Sequence, residues 1–235
     1  MDDRVSPPMQ KAVEQGLVTP TPEDEREQNR RDHLRRHPPS DDLYVFGFGS
    51  LMWNPAFEVA GSHPALVRGW HRRFSLWLAI GRGTPDFPGL SLGLEPGGSV
   101  RGIALRIAAE RIDSETRLLW RREMFAGAYR PIWVMADLGD RVVSATSFAI
   151  NRAYERYGHA IPLDVQARHI ALAEGPLGPC IDYLENTVRI LDAIGQTSGT
   201  MHTLLDAALQ IRSAPRPDAQ ATVSGHVFPP RQCCS

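Results

Sequence analysis

Residues Tyr44 to Pro55 read YVFGFGSLMWNP, and this stretch joins two patterns that rarely occur together. Its first residues are aromatic and β-branched, which is typical of a buried strand. Gly47-Phe48-Gly49-Ser50 then interrupts the strand before apolar residues resume. Glycines at such a point indicate that the backbone closely approaches another group. The stretch therefore predicts a buried strand that ends in a specialised loop.

Two familiar nucleotide-binding motifs do not fit this loop. A dinucleotide fingerprint needs a third glycine where the chain has Met52, and a helix directly afterwards, which Asn54-Pro55 opposes. A P-loop needs a lysine that does not follow here. The N–H groups of residues 49–51 instead suit an anion-binding nest for a carboxylate or a polarised carbonyl oxygen. A β-bulge without a ligand explains the loop equally well.

Composition narrows the class of protein. The chain has 235 residues, of which 42% are hydrophobic, which allows one sizeable core with an appended segment. A net charge of -1 argues against nucleic-acid and membrane partners. We find neither a signal peptide nor an apolar stretch of membrane-spanning length. Three cysteines without a CxxC pair form neither a disulfide framework nor a typical zinc site. We therefore expect a cytoplasmic protein without a metal.

The chain divides into three regions by composition. Residues 1–41 carry several prolines and dense mixed charge, so a flexible or loosely docked extension is expected. Opposite-charge pairs nevertheless favour a short helix over residues 23–36 within it. Residues 42–212 form the folded body, and residues 213–235 an irregular tail with four prolines.

The body shows strands first and helices afterwards. Strands are predicted over 43–49, 64–80, 90–96, 100–108, 129–138 and 141–150, with turns at residues 97–99 and at Gly139-Asp140. Helices are predicted over 114–125, with Asp113 as N-cap and Gly127 as stop, and over 162–174, 180–195 and 199–211. This order predicts an α+β fold with a curled or barrel-like, mixed but mostly antiparallel sheet flanked by helices.

The embedded helix carries a candidate base. At about 100° per residue, Leu118, Leu119 and Phe125 define an apolar face, and Glu123 lies at its border. A carboxylate at such a border can be half desolvated, which raises its pKa toward neutral pH. Most helical glutamates are solvated, so geometry alone does not single out Glu123. Arg122 lies more squarely on the apolar side and requires a partner.

Other chemistry-bearing residues fit a site less well. Ser50 lacks the Gly-x-Ser-x-Gly setting of a nucleophile and has no indicated histidine partner. Cys180 starts a predicted helix, whose dipole lowers a thiol pKa, but a packing or capping role is favoured. The remaining candidates are histidines without metal-like spacing: His63, His71, His159, His169, His202 and His226.

Several motifs together resemble the ChaC family of γ-glutamylcyclotransferases. They are VFGFGSLMWNP, GWHRRF, RGTPDFPG, VRGIALRI, RREMFAGAYRPIWV and HIALAEGPLGPCIDYLENTVRILDAIG, in this order. The resemblance covers roughly residues 44–209. It implies a γ-glutamylcyclotransferase-like fold and cleavage of glutathione into 5-oxoproline and cysteinylglycine without a cofactor. It also implies a small-molecule substrate rather than a macromolecular one.

The resemblance also implies the site residues. Glu123, in RREMFAGAYRP, matches the family's catalytic glutamate, and Tyr129 matches its aromatic partner. The N–H groups of residues 49–51 then either stabilise the γ-carbonyl oxygen or hold the substrate carboxylate. The substrate-binding residues implied in this way are Val45, Phe46, Gly47, Phe48, Gly49, Ser50, Leu51 and Tyr129.

The chain departs from the family pattern at two places. Phe48 replaces the usual tyrosine, and GPLGPCIDYL at residues 175–184 replaces Gly-Pro-Ser-Gly-Arg-Asn-x-Glu-Tyr-Leu. The alternatives are therefore a cyclotransferase for other γ-glutamyl amino acids or amines, and a γ-glutamyl-binding protein without turnover. Nucleic-acid binding through the N-terminal arginines is a third alternative, with strong salt dependence.

Overall fold

The computed structural model describes residues 7–214, and a closed five-stranded barrel forms the centre of this part. The strand order around the barrel is β1-β3-β2-β4-β5. β1 pairs in parallel with β5, and the other neighbouring pairs are antiparallel. The α+β prediction with a mostly antiparallel, barrel-like sheet is confirmed. The strands are β1 Leu43–Gly47, β2 Gly61–Leu78, β3 Gly89–Ile107, β4 Tyr129–Asp137 and β5 Val142–Ile150.

Helices flank the barrel, as predicted. They are α1 Pro7–Glu14, α2 Glu23–Leu34, α3 Ile112–Glu123, α4 Leu163–Leu172, α5 Ile181–Ala193 and α6 Thr200–Ser213. A two-stranded hairpin of β6 Glu174–Gly175 and β7 Gly178–Pro179, which the sequence did not indicate, joins α4 to α5. Within residues 7–214, no helix combines the length and apolar character needed to cross a membrane.

β2 and β3 form a long ribbon, and the turn predicted at residues 97–99 is wrong. β3 runs through this segment and stays paired with β2 on both sides, with a register shift between Arg68 and Trp70. Gly97 and Gly98 have φ values of 106° and 71°, which a β-bulge accommodates without reversing the chain. Two predicted strands therefore join into one.

The start of α3 also differs from the prediction. Asp113 is not its N-cap, because the helix begins at Ile112 after a short 3-10 turn and shows no side-chain cap. The Asp113 carboxylate lies in the first turn, where it accepts hydrogen bonds from Arg30 and Arg117. The carboxylate oxygens that could have capped the backbone N–H groups of α3 are therefore bonded to these two arginines. The helix ends at Glu123, and Gly127 with φ 71° lies in the following loop.

Two apolar cores bring the end of β1 toward the end of α3. The first fills the barrel and extends to α4, α5 and α6, and the second lies between β1, β3 and α3. Both cores use residues of β1, because its side chains alternate between them. Fully buried members are Phe46, Phe74, Leu92, Ile170 and Leu184 in the first core, and Leu43, Val45, Leu119, Trp120 and Phe148 in the second.

The N-terminal residues pack on the body through α2. Arg30 is 4% exposed and donates to Thr116 at 2.8 Å and to Asp113 at 2.8 Å. Trp120 Nε1 donates to Asn29 Oδ1 at 2.9 Å. Charge pairing predicted this helix, whereas composition favoured a flexible or loosely docked segment. The boundaries near residues 41 and 212 stay predictions, and the tail from residue 215, with Cys233, Cys234 and His226, lies outside the described residues.

Candidate active site

The loop after β1 is a tight turn rather than a β-bulge. Residues Ser50–Met52 form a 3-10 helix, and Met52 N donates to Gly49 O at 2.9 Å. A Cβ atom on Gly49 would lie 2.6 Å from the Tyr183 hydroxyl, and one on Gly47 would lie 3.1 Å from Leu51 Cβ. Both glycines are therefore needed for close packing. The group that approaches Gly49 in this structure is the Tyr183 hydroxyl.

Glu123 is the last residue of α3, and its side chain is only 12% exposed. Its Oε1 atom has no hydrogen-bond partner among residues 7–214. Arg122 Nε lies 3.1 Å from this oxygen, but the pair lacks hydrogen-bond geometry. Burial raises the pKa of Glu123, and the charge of Arg122 offsets part of that increase. The carboxyl group is thus largely buried, and its Oε1 atom can still accept a hydrogen bond.

Arg122 links the loop to the end of α3. Its Nη2 donates to Ser50 Oγ at 2.8 Å, and its Nη1 donates to the Asn54 carbonyl oxygen. With the nearby Glu123 carboxylate, these contacts supply the partners that its place on the apolar side of α3 required. The guanidinium therefore fixes the distance between the loop and the candidate base.

Two tyrosines, half-buried Tyr129 and buried Tyr183, line the inner side of the site together with Glu123. The Tyr129 hydroxyl donates to the Leu92 carbonyl oxygen at 2.9 Å. Burial raises the pKa of both Tyr129 and Tyr183, and each is raised further by the nearby Glu123 charge. A hydrogen bond with the Ser91 side chain lowers the pKa of each tyrosine and offsets part of this increase. Both phenols therefore stay protonated and can donate hydrogen bonds.

A small cavity, called here the inner cavity, brings most of these groups together. Its volume of about 20 Å³ is roughly that of one water site. Of the predicted site residues, Glu123, Tyr129 and residues 48–51 line it. Val45 and Phe46 do not, because their side chains pack in the two cores, and Gly47 contributes through its close packing on Leu51. The full lining is Phe48, Gly49, Ser50, Leu51, Leu92, Glu123, Tyr129, Phe148 and Tyr183.

Sequence reasoning missed Tyr183 as a site residue. It lies in α5, where it packs edge-on against Trp53 and Phe74. A buried tyrosine on an apolar helix face was the available signal, since its hydroxyl requires a polar partner. Its position opposite Gly49 depends on how α5 packs on the loop.

The other candidates have structural contacts. The α5 N-terminus does not lower the pKa of Cys180, because burial raises it, and Cys180 Sγ bonds the backbone of Leu90. His169 Nδ1 bonds Pro88 O at 2.7 Å, and its ring stacks on Phe87. Within residues 7–214, no cluster of three or more His, Cys, Asp or Glu side chains is arranged to hold a metal ion.

A larger cavity, called here the outer cavity, adjoins the inner one. Its volume is about 150 Å³. Glu123 and Tyr129 line both cavities, so Glu123 lies where the two cavities meet, and Arg122 lines the outer one. This arrangement suits a reaction at the junction of the two cavities, in which a base acts on a substrate that occupies both of them.

Comparison with known proteins assigns a fold and a family. A crystal structure of a glutathione-specific γ-glutamyl cyclotransferase from yeast superposes with a TM-score of 0.67 at 20% identity, covering 75% of this chain and 99% of the other. A second yeast structure of this description gives a TM-score of 0.64 at 20% identity, covering 73% and 100%. The fold is therefore that of the γ-glutamyl cyclotransferases.

The family follows from sequence. The profile of the "ChaC-like protein" family matches residues 43–210. The glutathione-specific γ-glutamylcyclotransferase of Escherichia coli (strain K12) is 38% identical over 79% of this chain and 80% of its own. The γ-glutamylcyclotransferase 2-3 of Arabidopsis thaliana is 30% identical over 72% of this chain and 88% of its own. The chain belongs to the ChaC-like family, as the motifs predicted.

Proposed function

We propose that this protein is a lyase that cleaves glutathione into 5-oxoproline and cysteinylglycine, with Glu123 as general acid and base. The observation that carries the proposal is the Glu123 side chain, whose buried Oε1 has no hydrogen-bond partner among residues 7–214 and which lines the same cavity as residues 48–51. The names of the relatives supply the substrate, since the E. coli and yeast proteins are described as specific for glutathione.

The first step is an intramolecular attack. The α-amino nitrogen of the γ-glutamyl group forms a bond to its own γ-carbonyl carbon and closes a five-membered ring. Holding the substrate in this folded geometry supplies much of the acceleration, because no second molecule has to be captured. Glu123 takes the proton that the amine loses, and its raised pKa suits a base that works near neutral pH.

The second step breaks the isopeptide bond. The pair of electrons on the tetrahedral oxygen reforms the carbonyl, and the C–N bond to the cysteinyl residue breaks. Glu123 returns its proton to the leaving nitrogen, so no water is consumed and no net proton is lost. The backbone N–H groups of residues 49–51 are suited to the developing oxyanion or to the substrate carboxylate. Because the inner cavity holds about one water, the γ-glutamyl group enters when lining side chains such as Tyr183 shift.

The test is a 5-oxoproline assay on glutathione, with the wild type beside Glu123→Gln. We expect the substitution to lower kcat by a factor of about 10² to 10⁴, the usual contribution of a general acid-base, while glutathione binding stays measurable. Glu110→Gln, at an exposed position before α3, is the matched control and should retain activity. Turnover that survives in Glu123→Gln contradicts the assignment of the base.

A parallel assay with γ-glutamyl-alanine tests whether the enzyme is specific for glutathione or accepts other γ-glutamyl amino acids. The departure at residues 175–184 from the family pattern favours this second candidate, a broader cyclotransferase for γ-glutamyl amino acids. Faster release of 5-oxoproline from γ-glutamyl-alanine than from glutathione would establish it. We also propose the cytoplasm as the compartment and a small molecule as the only class of substrate, on the basis of cysteine content and net charge.

A further inference from the structure

The outer cavity has a wall that comes from the N-terminal segment. Val18, which is 9% exposed, lines this cavity beside residues 76–80 at the end of β2 and residues 125, 126, 128 and 129 after α3. Thr21 N donates to the Phe125 carbonyl oxygen at 2.7 Å, which ties the segment to the loop after Glu123. Residues 17–21 precede the part that matches the family profile, so this wall is added to the shared domain.

A second wall comes from residues 151–157 and carries Arg156. This loop is anchored on both sides: Asn151 Nδ2 donates to Gly127 O at 2.9 Å, and the Tyr157 hydroxyl donates to buried Glu95 at 3.0 Å. The Arg156 side chain is 15% exposed, and its Nη2 donates to the Leu17 carbonyl oxygen. The contact holds the guanidinium against the N-terminal segment at the rim of the cavity.

The charges of the outer cavity point to a ligand with a carboxylate. Three charged side chains line it: Arg122, Glu123 and Arg156. Arg122 is already bonded to the loop after β1, and Glu123 is the proposed base. Arg156 has Glu155 Oε1 at 3.7 Å as its ion pair, beyond hydrogen-bond distance. A guanidinium has five N–H donors and binds a carboxylate with two parallel hydrogen bonds, which leaves Arg156 with donors to offer.

We propose that the outer cavity is the subsite for the leaving peptide and that Arg156 binds its terminal carboxylate. The inference rests on the proposed function, because a substrate cut beside Glu123 must extend into both cavities. The mostly apolar lining, with Val18, Trp77 and Tyr154, accepts a small side chain such as that of cysteine. The site thus selects γ-glutamyl peptides that end in a free carboxylate over γ-glutamylamines.

The test compares glutathione with its glycine ethyl ester, which lacks the terminal negative charge. For Arg156→Gln we expect kcat/KM for glutathione to fall about 10- to 100-fold, mainly through KM, as for a lost hydrogen-bonded ion pair. Activity on the ester should stay within about twofold of the wild type, which also shows that the variant is folded. Arg141→Gln, at the exposed turn between β4 and β5, is the matched control and should leave both substrates unchanged.

A second variant tests the N-terminal wall. Val18→Trp should fill part of the outer cavity and lower kcat/KM for glutathione, with little effect on γ-glutamyl-methylamide, whose leaving group is small. Equal losses on charged and neutral substrates in Arg156→Gln, or no loss on either, overturn the subsite. If the wild type releases 5-oxoproline from none of these compounds, the proposed function fails instead, so the two failures are distinguishable.

Discussion

Replacing Gly49 by alanine should destabilise the protein, because the space beside this glycine is already filled. Its φ is -138°, outside the left-handed region that favours glycine. The new Cβ would lie 2.6 Å from the hydroxyl of Tyr183, whose buried ring packs against Trp53 and Phe74 and would have to shift. We expect Gly49→Ala to lower the free energy of unfolding by about 1–3 kcal/mol, the usual cost of overpacking. Denaturant unfolding measures this change.

The double variant decides whether the Tyr183 hydroxyl is the cause. Tyr183→Phe removes the oxygen that the new Cβ would contact, so the Gly49→Ala/Tyr183→Phe protein should regain most of the stability relative to the sum of the single changes. Such a coupling is read from a double-mutant cycle. Additive losses would show that another contact limits the space at Gly49.

Arg122 should set the pH at which the enzyme becomes active. The base works when deprotonated, so the rate rises with pH through the pKa of Glu123. The charge of Arg122 lowers that pKa, and its removal should therefore raise it. We expect the acid limb of the kcat/KM profile for glutathione to move up by about one pH unit in Arg122→Gln. Arg122→Lys keeps the charge and should hold the limb near its wild-type position, whereas an unmoved limb in Arg122→Gln would contradict the coupling.

At the scale of elements, α2 is attached to α3 by one buried cation. The Arg30 side chain is 5% exposed and bonds Glu27, Asp113 and Thr116. Arg30→Gln leaves Glu27 without its main partner, so we expect the free energy of unfolding to fall by about 2–4 kcal/mol. Arg31→Gln is the control, because Arg31 also pairs with Glu27 but is 63% exposed, and it should cost less than about 1 kcal/mol. Similar losses in both variants would show that burial of Arg30 is not the reason.

For the whole molecule, Glu27 in α2 should make the free energy of unfolding fall as the pH is lowered. Hydrogen bonds from Arg30 hold the pKa of Glu27 at about 2, compared with 4.5 in the unfolded chain. Because the native state binds this proton at lower pH, the stabilisation is complete above pH 4.5 and is lost as pH falls toward about 2.

Glu27→Gln should remove part of this dependence. We expect the loss of unfolding free energy between pH 5.5 and pH 3 to be smaller in the variant than in the wild type, as measured by denaturant unfolding at both values. Glu25→Gln, at an exposed position of α2, should keep the wild-type slope. An unchanged slope in Glu27→Gln would mean that other carboxyl groups, such as buried Glu95 with its lowered pKa, dominate the acid response.

Much of the molecule is determined by local sequence. Period-two and helical patterns located β1, β4, β5 and the three C-terminal helices, because these patterns reflect which face of an element is buried. Motif order identified the family and pointed to Glu123 and the loop at residues 47–51. The same local signals were wrong at residues 97–99, because glycines with positive φ serve a bulge as well as a turn.

Only the tertiary structure decided what surrounds Glu123. The contact of Tyr183 with Gly49, the partners of Arg122 and the cavity beside Val18 and Arg156 join residues that are distant in the chain. Periodicity describes which face of an element is buried, but not which partner covers it. The pKa of Glu123 also depends on tertiary structure. It is raised by burial, and the residues that bury Glu123 lie on elements other than α3. The sequence thus determined the fold class and the chemical groups, and packing determined their environment.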